Sequence, residues 1–600
     1  MKLPRILIAG LLSLTSGYGE EKLSKDLEKS IDRNAHPKLA RDLAIGNPAG
    51  LVDVIVQFRQ APTQRHHQKV TNRGGRLKTG LEAINGGHYS IQAGKLAELA
   101  NDPDVVHISP DREIKGALDY AAVTVGATTA LSSGWDGSGV GVAVIDSGIT
   151  DHWDLRVGSD NPNNEKAGKS RVVYEETFMP ANSNGAKIVK DEYGHGTHVA
   201  GVIASNASSS DGKNYTHTFR GMARRAQLVN LRVLDQTGSG RDSYVIAAIQ
   251  RAIALKSAYN IRIINLSLGR PVFESYTKDP LCQAVEAAWK AGIVVVVAAG
   301  NDGRDNSLGR SGYETVNSPG NDPYVITVGA MKTMKTPARG DDEIASYSAK
   351  GPTAVDHVAK PDLVAPGNRI ISLLMNTNNW ISDQYPQNVV PYSYFQSNGS
   401  NILSYCYVWL SGTSMATPMV SGAAALMLQK EPGLTPDQVK ARLMKTATKS
   451  FPYFSTATDP VTNRPYTSQY DLFTVGAGYL DIMAALNNVD VSTKTAKSPT
   501  VKRDPATGKF RLVADTSALW GESALWGETA VWGEQVLVRG YSALWGESAL
   551  WGESAVWGDS TSQAFSALWG ESALWGESAL WGEGSNRMVE SAGILLNGEK

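Results

Sequence analysis

The chain has 600 residues and a net charge of −1, with 42% apolar and 20% charged side chains. Several domains of ordinary globular composition are expected, and the charge offers neither the basic field nucleic acid needs nor a strongly acidic one. Two cysteines, Cys282 and Cys406, exclude a disulfide scaffold and a four-cysteine zinc site; one bridge or two buried thiols stay open, the thiols being the simpler reading.

In chain order, residues 1–19 read as a secretory signal. Lys2 and Arg5 precede an apolar run over 6–14 that is too short to span a bilayer, and the small residues Ser16, Gly17 and Gly19 follow. No other run is long enough for a transmembrane segment, so the chain is expected to be secreted and extracellular, free or associated with a cell surface. Residues 20–44 are charged and polar. A small α+β domain is predicted over about 45–118. Val52, Val54, Val56 and Phe58 alternate as a strand, His66, His67 and Val70 lie in a helix stopped by Gly74-Gly75, Leu96 and Leu99 share a second helix, and Val105, Val106 and Ile108 form a closing strand.

Residues 120–490 read as an α/β domain. Apolar β-branched runs at 140–145, 228–234, 261–266, 293–298 and 325–328 alternate with helical segments at 243–258, 281–291 and 414–429, the pattern of a doubly wound, mainly parallel sheet with helices on both faces. A polar linker is predicted at 491–515. Hexapeptide repeats of the type Ser-Ala-Leu-Trp-Gly-Glu fill 516–583 and hold nine of the fourteen tryptophans. An even period keeps every Trp on one side of an extended strand and scatters them around a helix, so short strands and turns are predicted, with the module dispensable for catalysis. A tail occupies 584–600. The tryptophan row suits a buried ladder, or a platform for a cell-surface polymer or for self-association.

Three motifs carry chemistry. An apolar strand ends in Asp146-Ser147-Gly148, where a sheet of this kind places its sites. Gly194-His195-Gly196-Thr197-His198-Val199-Ala200-Gly201 supplies a candidate general base; a zinc role for His195 and His198 lacks the Glu and the third ligand it would need. Ser411-Gly412-Thr413-Ser414-Met415-Ala416-Thr417-Pro418 places a serine at a helix N-terminus, where unpaired backbone N–H groups favour developing negative charge. Taken singly, the first is also a turn Asp and the third an N-cap.

Together, in the order Asp, His, Ser, the three resemble the subtilase family of serine proteases over about 132–486. The resemblance implies a subtilisin-like fold and peptide-bond hydrolysis with Asp146, His195 and Ser414 as triad. It implies Asn301 as an oxyanion-hole donor and a cleft whose edges are Gly238-Ser239-Gly240 and Ser267-Leu268-Gly269. Ala298, Ala299 and Gly300 would wall the first specificity pocket, with Asn317 at its base. The small domain resembles the family's inhibitor-type propeptide, which makes residues 20–119 a self-processed prosegment cut between about 116 and 122. Protein or peptide substrates and the chain's own propeptide are the implied partners. No cofactor is implied for the chemistry and no metal ligand is assigned; structural calcium stays open without a location, since 205–217 lacks the usual calcium-loop sequence. The alternative function is a surface adhesion or structural protein whose protease domain processes only its own precursor.

Overall fold

The computed structural model describes residues 49–599 except 82–84, 111–116, 158–167, 182–184, 308–309, 376–378, 460–461, 493–494, 504–509, 514–593 and 597. The signal segment at 1–19 and the repeats at 516–583 lie outside the described residues. The chain divides into two units, Met1–Ile114 and Lys115–Lys600.

Unit 1 contains β1 (Leu51–Phe58), α1 (Gln64–Thr71), β2 (Arg76–Leu81), β3 (Gly86–Gln92), α2 (Leu96–Ala100) and β4 (Val105–Pro110). Its antiparallel sheet has the order β2-β3-β1-β4. The alternating Val54, Val56 and Phe58 bury one face of β1 against Val70, Ile91, Leu96, Leu99 and Ile108, giving the unit its own core. The sequence reading did not mark strands β2 and β3. β2 is mostly solvent-facing and shows no alternation, and β3 opens on two glycines, which shorten its alternating stretch to 88–92.

Unit 2 begins with short helices α3 (Ala117–Thr124) and α4 (Ala127–Ser132). Its framework is an eight-stranded sheet. In chain order the strands and intervening helices are β5 (Gly141–Asp146), β6 (Val172–Thr177), α5 (His195–Ala204), β7 (Gln227–Arg232), α6 (Asp242–Tyr259), β8 (Ile261–Leu266), α7 (Pro280–Lys290), β9 (Val294–Ala298), β10 (Ile326–Lys332), β11 (Glu343–Ile344) and β12 (Leu363–Pro366). The order is β11-β10-β9-β8-β5-β7-β6 with β12 also paired to β10, and every pairing but β10–β11 is parallel. β5 and β9 are buried at every position, which is why they read as unbroken apolar runs: helices cover both faces. Helix starts are chemically marked. Asp279 caps α7 by accepting from Leu281 N at 2.9 Å, with Pro280 in the first turn.

Residues between β12 and the last long helices form a second, antiparallel sheet. It contains β13 (Ile370–Leu373), β14 (Val389–Pro391) and β15 (Leu403–Leu410), with α8 (Trp380–Gln384) between the first two. The chain then enters α9 (Thr413–Lys430), buried along most of its length, and α10 (Pro436–Thr446).

Two boundaries differ from the sequence reading. The segment taken as a linker at 491–515 belongs in part to unit 2. Ser498 Oγ donates to Asp362 Oδ1 at 2.5 Å, Ala359 N to Pro499 O at 2.8 Å and Val501 N to His357 O at 2.8 Å. β16 (Thr500–Arg503) then pairs with β17 (Phe510–Val513). Much of this docking runs through the backbone, so a polar composition does not reveal it. The described residues of the tail are also part of the fold. Ile594, Leu595 and Leu596 join the main core and Glu599 is 1% exposed. Cys282 and Cys406 are buried thiols rather than a disulfide.

Candidate active site

Four neighbouring strands, β9, β8, β5 and β7, bring their carboxyl ends to one edge of the sheet. Asp146 is the last residue of β5 and 1% exposed. Its Oδ1 accepts from Ser147 N at 2.8 Å and pairs with His195 Nδ1 at 2.7 Å. Burial pushes the His195 imidazole down, but the charge and hydrogen bond of Asp146 outweigh it and raise the ring above its ordinary value.

His195 opens α5, and the turn before it needs glycine. Gly194 has φ +103°, and a Cβ there would lie 2.6 Å from Asn379 Oδ1. The first turn of α5 is held by Asp191, which the sequence reading missed. This buried carboxylate accepts from Gly194 N at 2.7 Å, Thr197 N at 2.8 Å and Ser147 Oγ at 2.8 Å. It thus ties the Asp146 strand end to the His195 helix start, and burial raises its pKa. An acidic residue four positions before a histidine at a helix start was the available signal. His198, on the same helix, is a core residue. Its Nε2 faces Ile370 O at 3.0 Å and burial pushes its pKa down to about 3.

Ser414 lies in the first turn of α9. Its hydroxyl donates to Ser267 O at 3.1 Å rather than to the imidazole, and Ser267 Oγ donates back to Ser414 O at 2.8 Å. The Ser267-Leu268-Gly269 edge is thereby anchored beside Ser414, and Arg270 continues it in antiparallel exchange with Ser318. Asn301 follows Ala298, Ala299 and Gly300 at the end of β9. Its Oδ1 accepts from Thr413 N at 2.9 Å and Thr413 Oγ1 at 3.1 Å, which fixes the carboxamide and leaves its NH2 as the available donor. Asn317 N donates to Ala299 O at 2.9 Å, so the residues expected to wall and floor a pocket are adjacent. Beside Asn317 opens a pocket of ≈ 230 Å³ lined by Asp302, Arg310, Tyr313 and Glu314 and by the apolar Val272 and Val316. Burial raises the Glu314 carboxyl to about 7. This charged lining was not read from the sequence. The third expected element, Gly238-Ser239-Gly240, folds back on Leu234 and places Gly238 against the Tyr193 ring. That ring is 6.1 Å from the His195 ring and 5.5 Å from Trp380.

The carboxylate facing 205–217 does not suit a calcium ion. Asp154, 0% exposed, accepts from Tyr407 Oη at 2.7 Å, Ser209 N at 2.8 Å, Ser205 Oγ at 3.1 Å and Ser208 Oγ at 3.2 Å. A calcium ion needs oxygen acceptors around it. This carboxylate is surrounded by donors, so these residues do not fit one. Among the described residues, no group of three or more His, Cys, Asp or Glu side chains could hold a metal, and no helix is long and apolar enough to cross a membrane.

The sequence model of the subtilase family matches residues 137–478. The serine protease AprX of Bacillus subtilis (strain 168) is 34% identical over 414 residues, covering 66% of this chain and 83% of the relative. Subtilisin E of the same strain is 33% identical over 402 residues, covering 66% and 84%. A thermostable alkaline protease of Halalkalibacterium halodurans is 32% identical over 363 residues, covering 60% and 77%.

Proposed function

Because the chain belongs to the subtilase family and is a subtilisin-like serine endopeptidase, we propose that Asp146, His195 and Ser414 are its triad and that it is secreted as a self-processing zymogen. The observation that carries the triad is the buried 2.7 Å pair between His195 Nδ1 and Asp146 Oδ1, which leaves Nε2 to act as base. The Ser414 hydroxyl turns from Ser267 O to Nε2. Its oxygen bonds to the scissile carbonyl carbon as the proton passes to His195, and the carbonyl oxygen becomes an oxyanion. Asn301 Nδ2 and the Ser414 backbone N–H donate to that oxyanion. Collapse breaks the C–N bond with the proton delivered to the leaving amine, and water releases the acyl group by the reverse proton path. Asp146 keeps the ring in the required tautomer and stabilises the imidazolium. The Asn301 donor is worth about 3 kcal/mol in the transition state.

The substrate lies as an extra strand between 238–240 and 267–269, its first side chain entering beside Ala298, Ala299, Gly300 and Asn317. Residues 20–119 act as the propeptide and inhibitor. What supports this is a folded core belonging to unit 1 alone, placed just before the catalytic unit. The repeats at 516–583 bind a surface polymer or one another. Purified full-length protein tests the reading. Wild type should cut an unrelated protein and, by intact mass and N-terminal sequencing, lose its N-terminal part at 116–122. Ser414→Ala should stay uncut and inert. Normal processing of purified Ser414→Ala would assign maturation to another protease.

A further inference from the structure

Between the described ends Val513 and Ile594 lie the repeats, yet the residues after them return to the catalytic unit. Leu595 O accepts from Ser411 N at 2.8 Å, and Leu596 O accepts from Asn388 Nδ2 at 2.5 Å. Asn368 pairs with the Glu599 backbone in both directions, its Nδ2 donating to O at 2.9 Å and its Oδ1 accepting from N at 2.8 Å. The Glu599 side chain is fully buried among donors. Arg304 Nη2 reaches Oε1 at 2.7 Å, Ser346 N donates to the same oxygen at 3.0 Å, and Lys332 Nζ lies 3.4 Å from Oε2.

The partners of this segment are not spread at random. Ser411 adjoins Gly412 in the loop that leads to Ser414. Asn368 follows Gly367, whose carbonyl accepts from Gly412 N at 2.8 Å. Arg304 lies three residues past Asn301. Asn388 immediately precedes β14 of the second sheet. One short segment thus meets the nucleophile loop and the second sheet through its backbone carbonyls, and the Asn301 loop through the Glu599 carboxylate. Burying a carboxylate beside two cations costs desolvation that is recovered only with good hydrogen-bond geometry; Glu599 Oε1 has such partners, while Oε2 accepts no hydrogen bond among the described residues. The loops it adjoins are ones where misplacement by about 1 Å costs about 10²-fold in rate.

We propose that residues 594–596 together with 598 and 599 are a positioning strap for Ser414 and Asn301, with Glu599 as its anchor. This goes beyond the triad reading and rests on Ser414 being the nucleophile. The strap touches no reacting atom; it acts through Ser411 and Arg304. The repeats are then bracketed at both ends by segments fixed to the catalytic unit, and a chain ended near 495 loses a part of the site's support, contrary to the modular expectation from sequence.

The test uses full-length Glu599→Gln and Glu599→Asp, with Gly598→Ala as a second perturbation. Gly598 has φ +60°, and a Cβ there would sit 2.3 Å from Ser411 Oγ. Active sites are counted by stoichiometric reaction with a serine-directed phosphonate, and kcat is expressed per titrated site. Peptide mass mapping of the adduct in each variant reads whether Ser414 is the reacting serine, so failure of the strap is separable from failure of the triad. Glu599→Gln and Gly598→Ala are expected to lower kcat per site about tenfold with KM within twofold, and Glu599→Asp to recover part of the loss. An unchanged kcat per titrated site, with only fewer sites or a lower Tm, would overturn the proposal and leave the strap residues as a stabilising segment alone. Should Glu599→Gln yield no folded protein, Gly598→Ala decides by the same reading.

Discussion

The loops carrying His195 and Ser414 are held in opposite ways. The His195 turn has its main support nearby in the chain: Asp191, four residues earlier, accepts from Gly194 N and Thr197 N, with Ser147, 44 positions before Asp191, as a more distant link. The Ser414 turn is supported from far away. Its brackets are Ser267, Asn301, Gly367 and, on the further inference, 594–596 with 598 and 599, separated from it by between 47 and 185 positions. Local support travels with a motif and is read with it, whereas remote support depends on the whole fold.

The largest break in this comparison is at the shared pair. Asp146→Asn is expected to lower kcat by about 10⁴-fold, since the ring loses its tautomer and its countercharge. The pH profile supplies a second readout. His195 must be neutral to act as base, so activity falls as pH drops through its folded pKa. Asp146 raises that pKa, which places the acid limb of kcat/KM above the ordinary imidazole value near 6.5. In Asp146→Asn the lowering by burial is opposed only by the smaller effect of the Asp191 charge, so the limb should move to lower pH. A limb that stays put would show that another group controls it.

Next in size is the local support. Asp191→Asn turns an NH2 toward backbone N–H donors and is expected to cost about 2 kcal/mol of stability and about 10²-fold in kcat, measured by denaturant unfolding and steady-state kinetics. Loss of stability with full kcat would make Asp191 a helix cap and nothing more. The smallest effect is expected from α8, beside the second sheet. Asn379 caps α8 by accepting from Ser382 N at 3.0 Å, and Trp380 N and Ile381 N donate to Glu192 O and Tyr193 O at 3.0 and 3.1 Å. Asn379→Ala should therefore cost about 1 kcal/mol through the cap and lower kcat no more than a few-fold. A loss as large as that of Asp191→Asn would mean that the His195 turn depends on distant chain as much as the Ser414 turn does.

The same contrast governs what could be read before the structure. The five buried strands of the catalytic sheet and its three long helices were legible to within a few residues, because two-sided burial writes continuous apolar runs. Asp146, His195, Ser414 and Asn301 could be nominated from sequence because short strings carry them, and the structure sets His195 Nδ1 2.7 Å from Asp146 Oδ1. Asp191 was missed because one acid in a polar stretch has many uses. Asp302, Arg310 and Glu314 were missed as pocket lining because they become neighbours of Asn317 only through the fold. The docking of 496–503 and of the described residues after 593 was missed because it rests on backbone hydrogen bonds, a few polar side chains and a short apolar run at 594–596, too brief to leave a periodic trace.

The most direct test of the central claim is to label the wild-type protein with a serine-directed phosphonate across pH and locate the adduct by peptide mass mapping. The account predicts one adduct, on the peptide containing Ser414, absent from Ser414→Ala, formed at a rate that falls as pH drops through the raised pKa of His195. An adduct on another residue, or labelling that persists in Ser414→Ala, would contradict it.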